Sequence, residues 1–279
     1  MQIDLHFHSN FSDGIYTPKE LIERANENHA ELLALTDHDN IGGLEEARIV
    51  SDKLGIAFVN GVEISVTWRN KVIHVIGLDF DLDYLPLIRL IDEIRSVRLK
   101  RLSLISEKLE NIGIRGVYQG ALELSSHPDT VGRRHMAEYL VSQGVVSSIQ
   151  QAFNKYLGEG KKGYVKTEWG SLQEVVRLIV EAGGIAVLAH PLRYNLTLAK
   201  IRQFLDEFIV YGGQGIEVGC SGHDYNEIMT VSLLAEQYNL LASSGSDFHG
   251  HEYGCHRKIG VTPDLPIECR PIWDVFKFN

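Results

Sequence analysis

The 279-residue chain is 44% hydrophobic, enough for one large core or a core carrying a smaller inserted unit, which excludes disordered, collagen-like and small disulfide-scaffold classes. Its 27 Lys and Arg stand against 37 Asp and Glu, a formal charge of −10 that argues against a broad electrostatic footprint for long nucleic acid. Three widely spaced cysteines, Cys220, Cys255 and Cys269, form no C-x-x-C and read as reduced thiols, and no apolar run reaches the roughly 20 residues of a membrane span. The opening Met1 to Asn10 lacks a basic-then-apolar signal pattern, so the expectation is a soluble, cytoplasmic protein with no membrane association and no obligate protein partner.

The first apolar run, Ile3 to Phe7, predicts a strand. Thr17-Pro18-Lys19-Glu20 then starts a helix with a threonine cap, a proline at the first helical position and a capping-box glutamate. Further strand-like runs follow at Leu32 to Thr36, Ile56 to Ser65, Val72 to Leu78, Ile185 to Ala189, Gly215 to Val218 and Leu240 to Ser244. Helix-period stretches separate most of them, at Gly42 to Leu54, Ser171 to Ala182 and Asp224 to Asn239. This α/β alternation implies a parallel sheet, and a closed barrel is a leading way to arrange it. Between Tyr84 and about Lys162 the pattern is helical only: a long amphipathic stretch from Pro86 to Ile112, then Arg133 to Ser142 and Ser147 to Leu157. Residues 84–162 are therefore read as an all-helical insertion, capping the substrate, within a barrel of residues 1–83 and 163–279.

The chemistry lies in where histidines and carboxylates fall relative to these runs. His6 and His8 form an H-x-H at the end of the first strand, where alternate residues face one way and can grip one ion. Asp13 follows in the next loop, His38 ends the second run, Glu63 lies in Gly61-Val62-Glu63, and His74 lies in the fourth run. His190 closes Ala186 to Ala189, and Asp247 and His249 follow the last strand. An isolated histidine is usually structural, but nine metal-competent side chains in this order would meet at the strand C-terminal ends, where barrels of this class build their sites. Nine exceed the three or four ligands of one catalytic zinc, which implies two or three metal ions with a bridging carboxylate, for which Glu63 is the candidate. The mixed imidazole and carboxylate set suits manganese, with zinc or iron as alternatives. Asp37 and Asp39 read either as partners that orient His38 or as turn residues. His29, His127, His223, His251 and His256 read as surface or capping residues, and the arginines from Arg89 to Arg101 as a solvated helix face with pairs such as Asp92 and Arg95.

The ordered set His6-Phe7-His8, Asp13, Thr36-Asp37-His38, Gly61-Val62-Glu63, His74, Ala189-His190-Pro191 and Ser246-Asp247-Phe248-His249 resembles the PHP family, the polymerase and histidinol phosphatase metal-dependent phosphoesterases, over nearly the whole chain. That resemblance implies a distorted, TIM-like (β/α)7 barrel with a trinuclear metal centre. One metal would take His6, His8, Glu63 and Asp247; a second Glu63, His74 and His190; a third Asp13, His38 and His249.

Within the family the chain is most similar to stand-alone bacterial enzymes that remove the 3′-phosphate of nucleoside 3′,5′-bisphosphates or trim short 5′-phosphorylated RNA from its 5′ end. Val131-Gly132-Arg133-Arg134-His135, Lys161-Lys162-Gly163-Tyr164-Val165, His190-Pro191-Leu192-Arg193-Tyr194 and Gly245-Ser246-Asp247-Phe248-His249-Gly250 carry the closer match. The chain has Arg134 where such relatives have proline or alanine, so Arg133 and Arg134 both stand as phosphate contacts, with His135 and Arg193. Arg133 also begins a helix whose N-terminus favours anions. The expected reaction is in-line attack on phosphorus by metal-activated water, with arginine donors neutralising the phosphoryl oxygens and Asp247 or His249 moving the proton. Histidinol phosphate phosphatase and a metal-dependent amidohydrolase are the alternatives. The second is weakened because Glu63 occupies the bridging position where many amidohydrolases use a carboxylated lysine.

Overall fold

A computed structural model of the chain describes residues 1–125, 127–250 and 257–277. The expected thiol Cys255 and surface histidines His251 and His256 lie outside the described residues. Strands β1 (Gln2–Phe7), β2 (Ala30–Leu35) and β3 (Ala57–Phe58) form a parallel three-stranded sheet. Strands β4 (Gly61–Trp68), β5 (Lys71–Leu78), β6 (Gly170–Ser171), β7 (Ile185–Leu188), β8 (Gly215–Cys220) and β9 (Leu241–Gly245) form a six-stranded sheet in the order β6-β4-β5-β7-β8-β9.

The all-parallel expectation is corrected here. β4 and β5 are joined by the two-residue turn Arg69-Asn70, both at positive φ (45° and 68°), so β5 runs antiparallel to β4 and to β7. Two residues with positive φ make the primed turn whose twist suits a tight hairpin, and such a turn reverses the chain instead of crossing over. The predicted strand from Ile56 to Ser65 also divides in two, with Gly61 passing so close to β2 that an added Cβ would lie 2.5 Å from the Leu35 carbonyl oxygen.

Helices α1 (Pro18–Glu27), α2 (Leu44–Leu54), α7 (Leu172–Glu181), α8 (Leu198–Val210) and α9 (Tyr225–Gln237) connect the strands. The start of α1 is the predicted one: the Glu20 N–H donates to the Thr17 hydroxyl (3.2 Å) and the Thr17 N–H to the Glu20 carboxylate (2.8 Å). Between β5 and β6 lie α3 (Leu85–Glu110), α4 (Val117–Leu124), α5 (Arg133–Ser142) and α6 (Ile149–Ala152), the last running into a π-helical turn at Phe153–Leu157. These helices bury a cluster of their own, including Leu102, Ile105, Leu109, Val117, Met136 and Leu140. Among the described residues no helix is long and apolar enough to cross a membrane.

The inward faces of the strands change character along their length. At one end Leu32, Ala34, Ile76, Leu78, Ile185 and Val187 pack into a small, buried apolar cluster. Further along those same faces stand His74, two residues from Ile76 on β5, and Glu63 and Ser65 on β4, whose neighbours Val62, Ile64 and Val66 face the outer helices. The two sheets touch beside these polar residues. The Asp247 N–H donates to the His6 carbonyl (2.6 Å) and the His8 N–H to the Phe248 carbonyl (2.9 Å). On the other side the Asp39 N–H donates to the Glu63 carbonyl (2.9 Å).

Candidate metal centre

All nine predicted metal residues meet in one place. They do not all sit at strand C-terminal ends, however: Glu63 is near the start of β4 and His74 is mid-way along β5. The reversal of β5 compensates, because it sets His74 directly opposite Ser65, on the same face as Glu63. His38 and His190 follow β2 and β7, and Asp247 and His249 follow β9. His190 and Asp247 have φ of 25° and 48°, conformations that cost energy for residues with side chains and persist only where surroundings over-determine them.

Glu63 is fully buried at the centre. One carboxylate oxygen lies 2.9 Å from His190 Nε2 and 3.0 Å from His74 Nδ1; the other lies 2.9 Å from His38 Nδ1, 3.3 Å from His8 Nε2 and 3.5 Å from His6 Nε2. Asp247 Oδ1 is 3.3 Å from His8 Nε2 and 3.4 Å from His6 Nε2, while Asp13 Oδ1 is 3.2 Å from His249 Nε2. The ligand atoms fall into four overlapping groups, each within 4.8 Å: His8, Asp13, His38 and His249; His6, Glu63 and His190; His6, His8 and Asp247; His38, Glu63 and His74.

The donor set fits divalent ions. Glu63 Oε2, His38 Nδ1 and His74 Nδ1 are buried and make no aligned hydrogen bond despite separations of about 3 Å, the arrangement left when lone pairs point at a common centre and not at one another. His38 lies between two groups, near Glu63 by Nδ1 and 3.9 Å from Asp13 Oδ2 by Nε2.

The electrostatics follow from this crowding. Burial alone would raise Asp247, Glu63 and Asp13, but His249, His6 and His38 among their neighbours hold all three carboxyls well below the usual range. Burial lowers His8 to about 3, helped by His249, so its ring is neutral and a competent ligand. For His249 burial is outweighed by Asp13 and Asp247, which push it up to about 9.

Sequence reasoning missed Glu217, mid-strand in β8 and fully buried. Its carboxylate lies 2.9 Å from His6 Nδ1 and accepts the His190 N–H at 2.6 Å. It fixes the His6 tautomer with the proton on Nδ1, leaving the Nε2 lone pair for an ion. The readable signal was a carboxylate inside an otherwise apolar strand, since a buried charge must have a partner. Glu217→Gln is expected to weaken metal affinity by about 10- to 100-fold, because either orientation of the amide sets a donor against a donor. Competitive metal titration checks this, and unchanged affinity would refute the role.

Asp37 and Asp39 do not orient the His38 ring. Asp37 accepts from the hydroxyls of Ser9 and Ser12 (both 2.6 Å), pinning the loop that carries Asp13. Asp39 accepts from the Ser65 N–H (2.7 Å) and pairs with Arg98. The solvated-face reading of the α3 arginines therefore fails for Arg98, and also for Arg101, which is 7% exposed, although Arg95 does pair with Asp92 (2.8 Å).

Beside the cluster opens a cavity of about 710 Å³ lined by Asp13, His38, His74, His190, Asp247 and His249 and by arginines of several elements. Arg193 donates to Asp247 and to the Ser221 carbonyl, and Arg257, unremarked in the sequence, lies 3.2 Å from Asp247 Oδ2. Arg133 and Arg134 both line the cavity. Arg134 is tied to Glu138 (2.6 Å) and the Asp13 carbonyl (2.9 Å), whereas the Arg133 guanidinium sits 5.7 Å over the Phe153 ring. His135, expected to contact substrate, is not among the lining residues; its Nδ1 accepts the Gly132 N–H (3.0 Å) at the start of α5. Lys161 and Lys162 are exposed on a turn.

Comparison with known proteins agrees with this geometry. Residues 4–256 match the PHP domain family. The chain is 45% identical to a 3′,5′-nucleoside bisphosphate phosphatase of Chromobacterium violaceum, over 97% of this chain and 95% of that one. It is 40% identical to a 5′-3′ exoribonuclease of Haemophilus influenzae, over 98% of each. A solved structure described as an amidohydrolase from Chromobacterium violaceum superimposes with a TM-score of 0.94 at 43% identity, covering 99% of this chain and 96% of that one.

Proposed function

The chain belongs to the PHP domain family, and from that premise we propose that it hydrolyses the 3′-phosphate of nucleoside 3′,5′-bisphosphates to leave the 5′-monophosphate. It is a metal-dependent phosphoester hydrolase. The observation that carries the reading is a cluster of nine ligand-competent side chains opening on an arginine-lined cavity large enough for a nucleotide. Trimming of short 5′-phosphorylated RNA is the second reading, favoured by the similarity to the Haemophilus enzyme.

We take residues 1–83 and 163–279 as a seven-stranded barrel with one reversed strand, a reading supported by the contacts of β9 with β1 and of β2 with β4, and residues 84–162 as a helical cap. His6, His8, Asp13, His38, Glu63, His74, His190, Asp247 and His249 would hold two or three ions, Glu63 between them; imidazole and carboxylate together favour manganese, with zinc or iron as alternatives. When bound, such ions supply Lewis acidity and lower the pKa of water.

The residues of the chain do the rest. Arg193 remains a cation, since Asp247 raises it against the opposing effect of burial, and with Arg257 it presents donors to the phosphoryl oxygens on the cavity side of Asp247. Glu217 holds the His6 proton at Nδ1. Asp39 and Arg98 fix Ser65 opposite His74, and Asp37 fixes the loop of Asp13. Phosphate release from adenosine 3′,5′-bisphosphate by manganese-loaded protein tests the reading, with a 5′-phosphorylated oligoribonucleotide and histidinol phosphate alongside. Formation of the 5′-monophosphate supports it, and inertness toward both nucleotide substrates overturns it.

A further inference from the structure

His8 faces candidate ions with both nitrogens of its ring. Nε2 lies 3.2 Å from His6 Nε2 and 3.3 Å from carboxylate oxygens of Glu63 and Asp247, while Nδ1 lies 3.8 Å from Asp13 Oδ1. The residue accordingly falls in two of the ligand groups, one with His6 and Asp247 and the other with Asp13, His38 and His249. A neutral imidazole has one lone pair and one N–H, so it can complete only one of them. Spacing along the chain does not say which.

The neighbour that decides is Ser12, a buried residue of the loop after β1. Its Oγ lies 3.5 Å from His8 Nδ1 and 2.6 Å from Asp37 Oδ1. A hydroxyl has a single proton, and Asp37 claims it. That carboxylate is buried and also accepts the Ser9 N–H (2.7 Å) and the Ser9 hydroxyl (2.6 Å). Three donors converging on two oxygens satisfy a buried anion, which has no proton to return to Ser12. Ser12 therefore turns lone pairs toward His8, and only an Nδ1–H meets them with the right polarity.

We propose that Ser12, held by Asp37, is a positioning residue that receives the His8 Nδ1 proton and so commits His8 to an ion through Nε2 alone. Glu217 does this for His6 directly, and Asp37 does it for His8 through one intervening hydroxyl. Asp13, His38 and His249 are then left as a three-residue site on the side of the cluster that lines the cavity. The inference rests on the metal-dependent reading above and adds to it the residue that sorts His8 between the ions.

The test sets Ser12→Ala beside Ser9→Ala in the full chain. Each removes one hydroxyl bond of 2.6 Å to Asp37, so the anchoring of the loop is weakened alike in both, but only Ser12 faces His8. In wild type loaded with zinc, which is diamagnetic, a long-range proton–nitrogen-15 NMR spectrum is expected to show His8 protonated at Nδ1 and metal-bound at Nε2. Ser12→Ala is expected to weaken manganese binding about tenfold in a competitive titration and to speed solvent exchange of the His8 Nδ1 proton, and Ser9→Ala to do neither. Metal bound through Nδ1 in the wild type overturns the proposal without any variant having to fold. Ser12→Ala indistinguishable from Ser9→Ala, whether both weaken binding or neither does, overturns it as well and reduces Asp37 to a loop anchor. Wild type that binds neither zinc nor manganese overturns the metal-dependent reading itself.

Discussion

Glu63→Gln is expected to lower turnover at least about 1,000-fold, the rate equivalent of losing roughly 4 kcal/mol of metal-derived charge stabilisation. The substitution preserves volume and leaves one carbonyl acceptor, so the fold around β4 should survive. The site cannot compensate. One oxygen of Glu63 faces His74 and His190 and the other faces His38, His8 and His6, and an amide must turn an N–H toward one of those sets. It also removes the negative charge that would sit between neighbouring cations. Metal content by elemental analysis should fall with activity, while the thermal transition remains cooperative. A metal-replete variant turning over within tenfold of wild type would refute the bridging role.

Metal removal should have an effect of similar size on activity and a second one on stability. Chelation is expected to reduce phosphate release to background and manganese to restore it. The protein should also melt at lower temperature without metal, because ions bind the native arrangement and stabilise it by about 4 kcal/mol at a thousandfold excess over Kd. The loss should be reversible. Asp13, Asp247 and Glu63 remain ionised among the histidines, so the empty cluster keeps opposite charges adjacent. Full activity in protein shown by elemental analysis to hold no metal would overturn the metal-dependent assignment of this site.

What could be read from the sequence divides along a physical line. The nine cluster residues were legible because each is a polar group beside a recognisable strand, and H-x-H and D-x-H pairs announce themselves by spacing alone. The start of α1 was equally plain, since its capping box is wholly local. Glu217 and Asp39 with Arg98 were not, because their meaning comes from partners 26 to 211 residues away, and Arg257 was not, although its partner Asp247 lies 10 residues away. The direction of β5 turned on two residues, Arg69 and Asn70, neither of them glycine, in a conformation that turn composition did not advertise. The short helix α4 also passed unseen; it packs on α5 where Gly120 leaves no space for a Cβ, which would lie 2.0 Å from the Tyr139 ring.

The seam between β1 and β9 has a consequence in time. His6 and His8 belong to the first strand, yet their backbone is held by Phe248 and Asp247, and Ser246 donates to Asp4 from 242 residues further along the chain. Contacts so remote in sequence are among the slowest to form, since closing so long a loop costs entropy before any bond rewards it. A ribosome must therefore synthesise more than 240 residues beyond β1 before His6 and His8 meet Asp247. Completion of the cluster therefore waits on residues 247 to 249, and a prematurely terminated product that lacks Asp247 and His249 leaves His6 and His8 without the carboxylate and imidazole that face them.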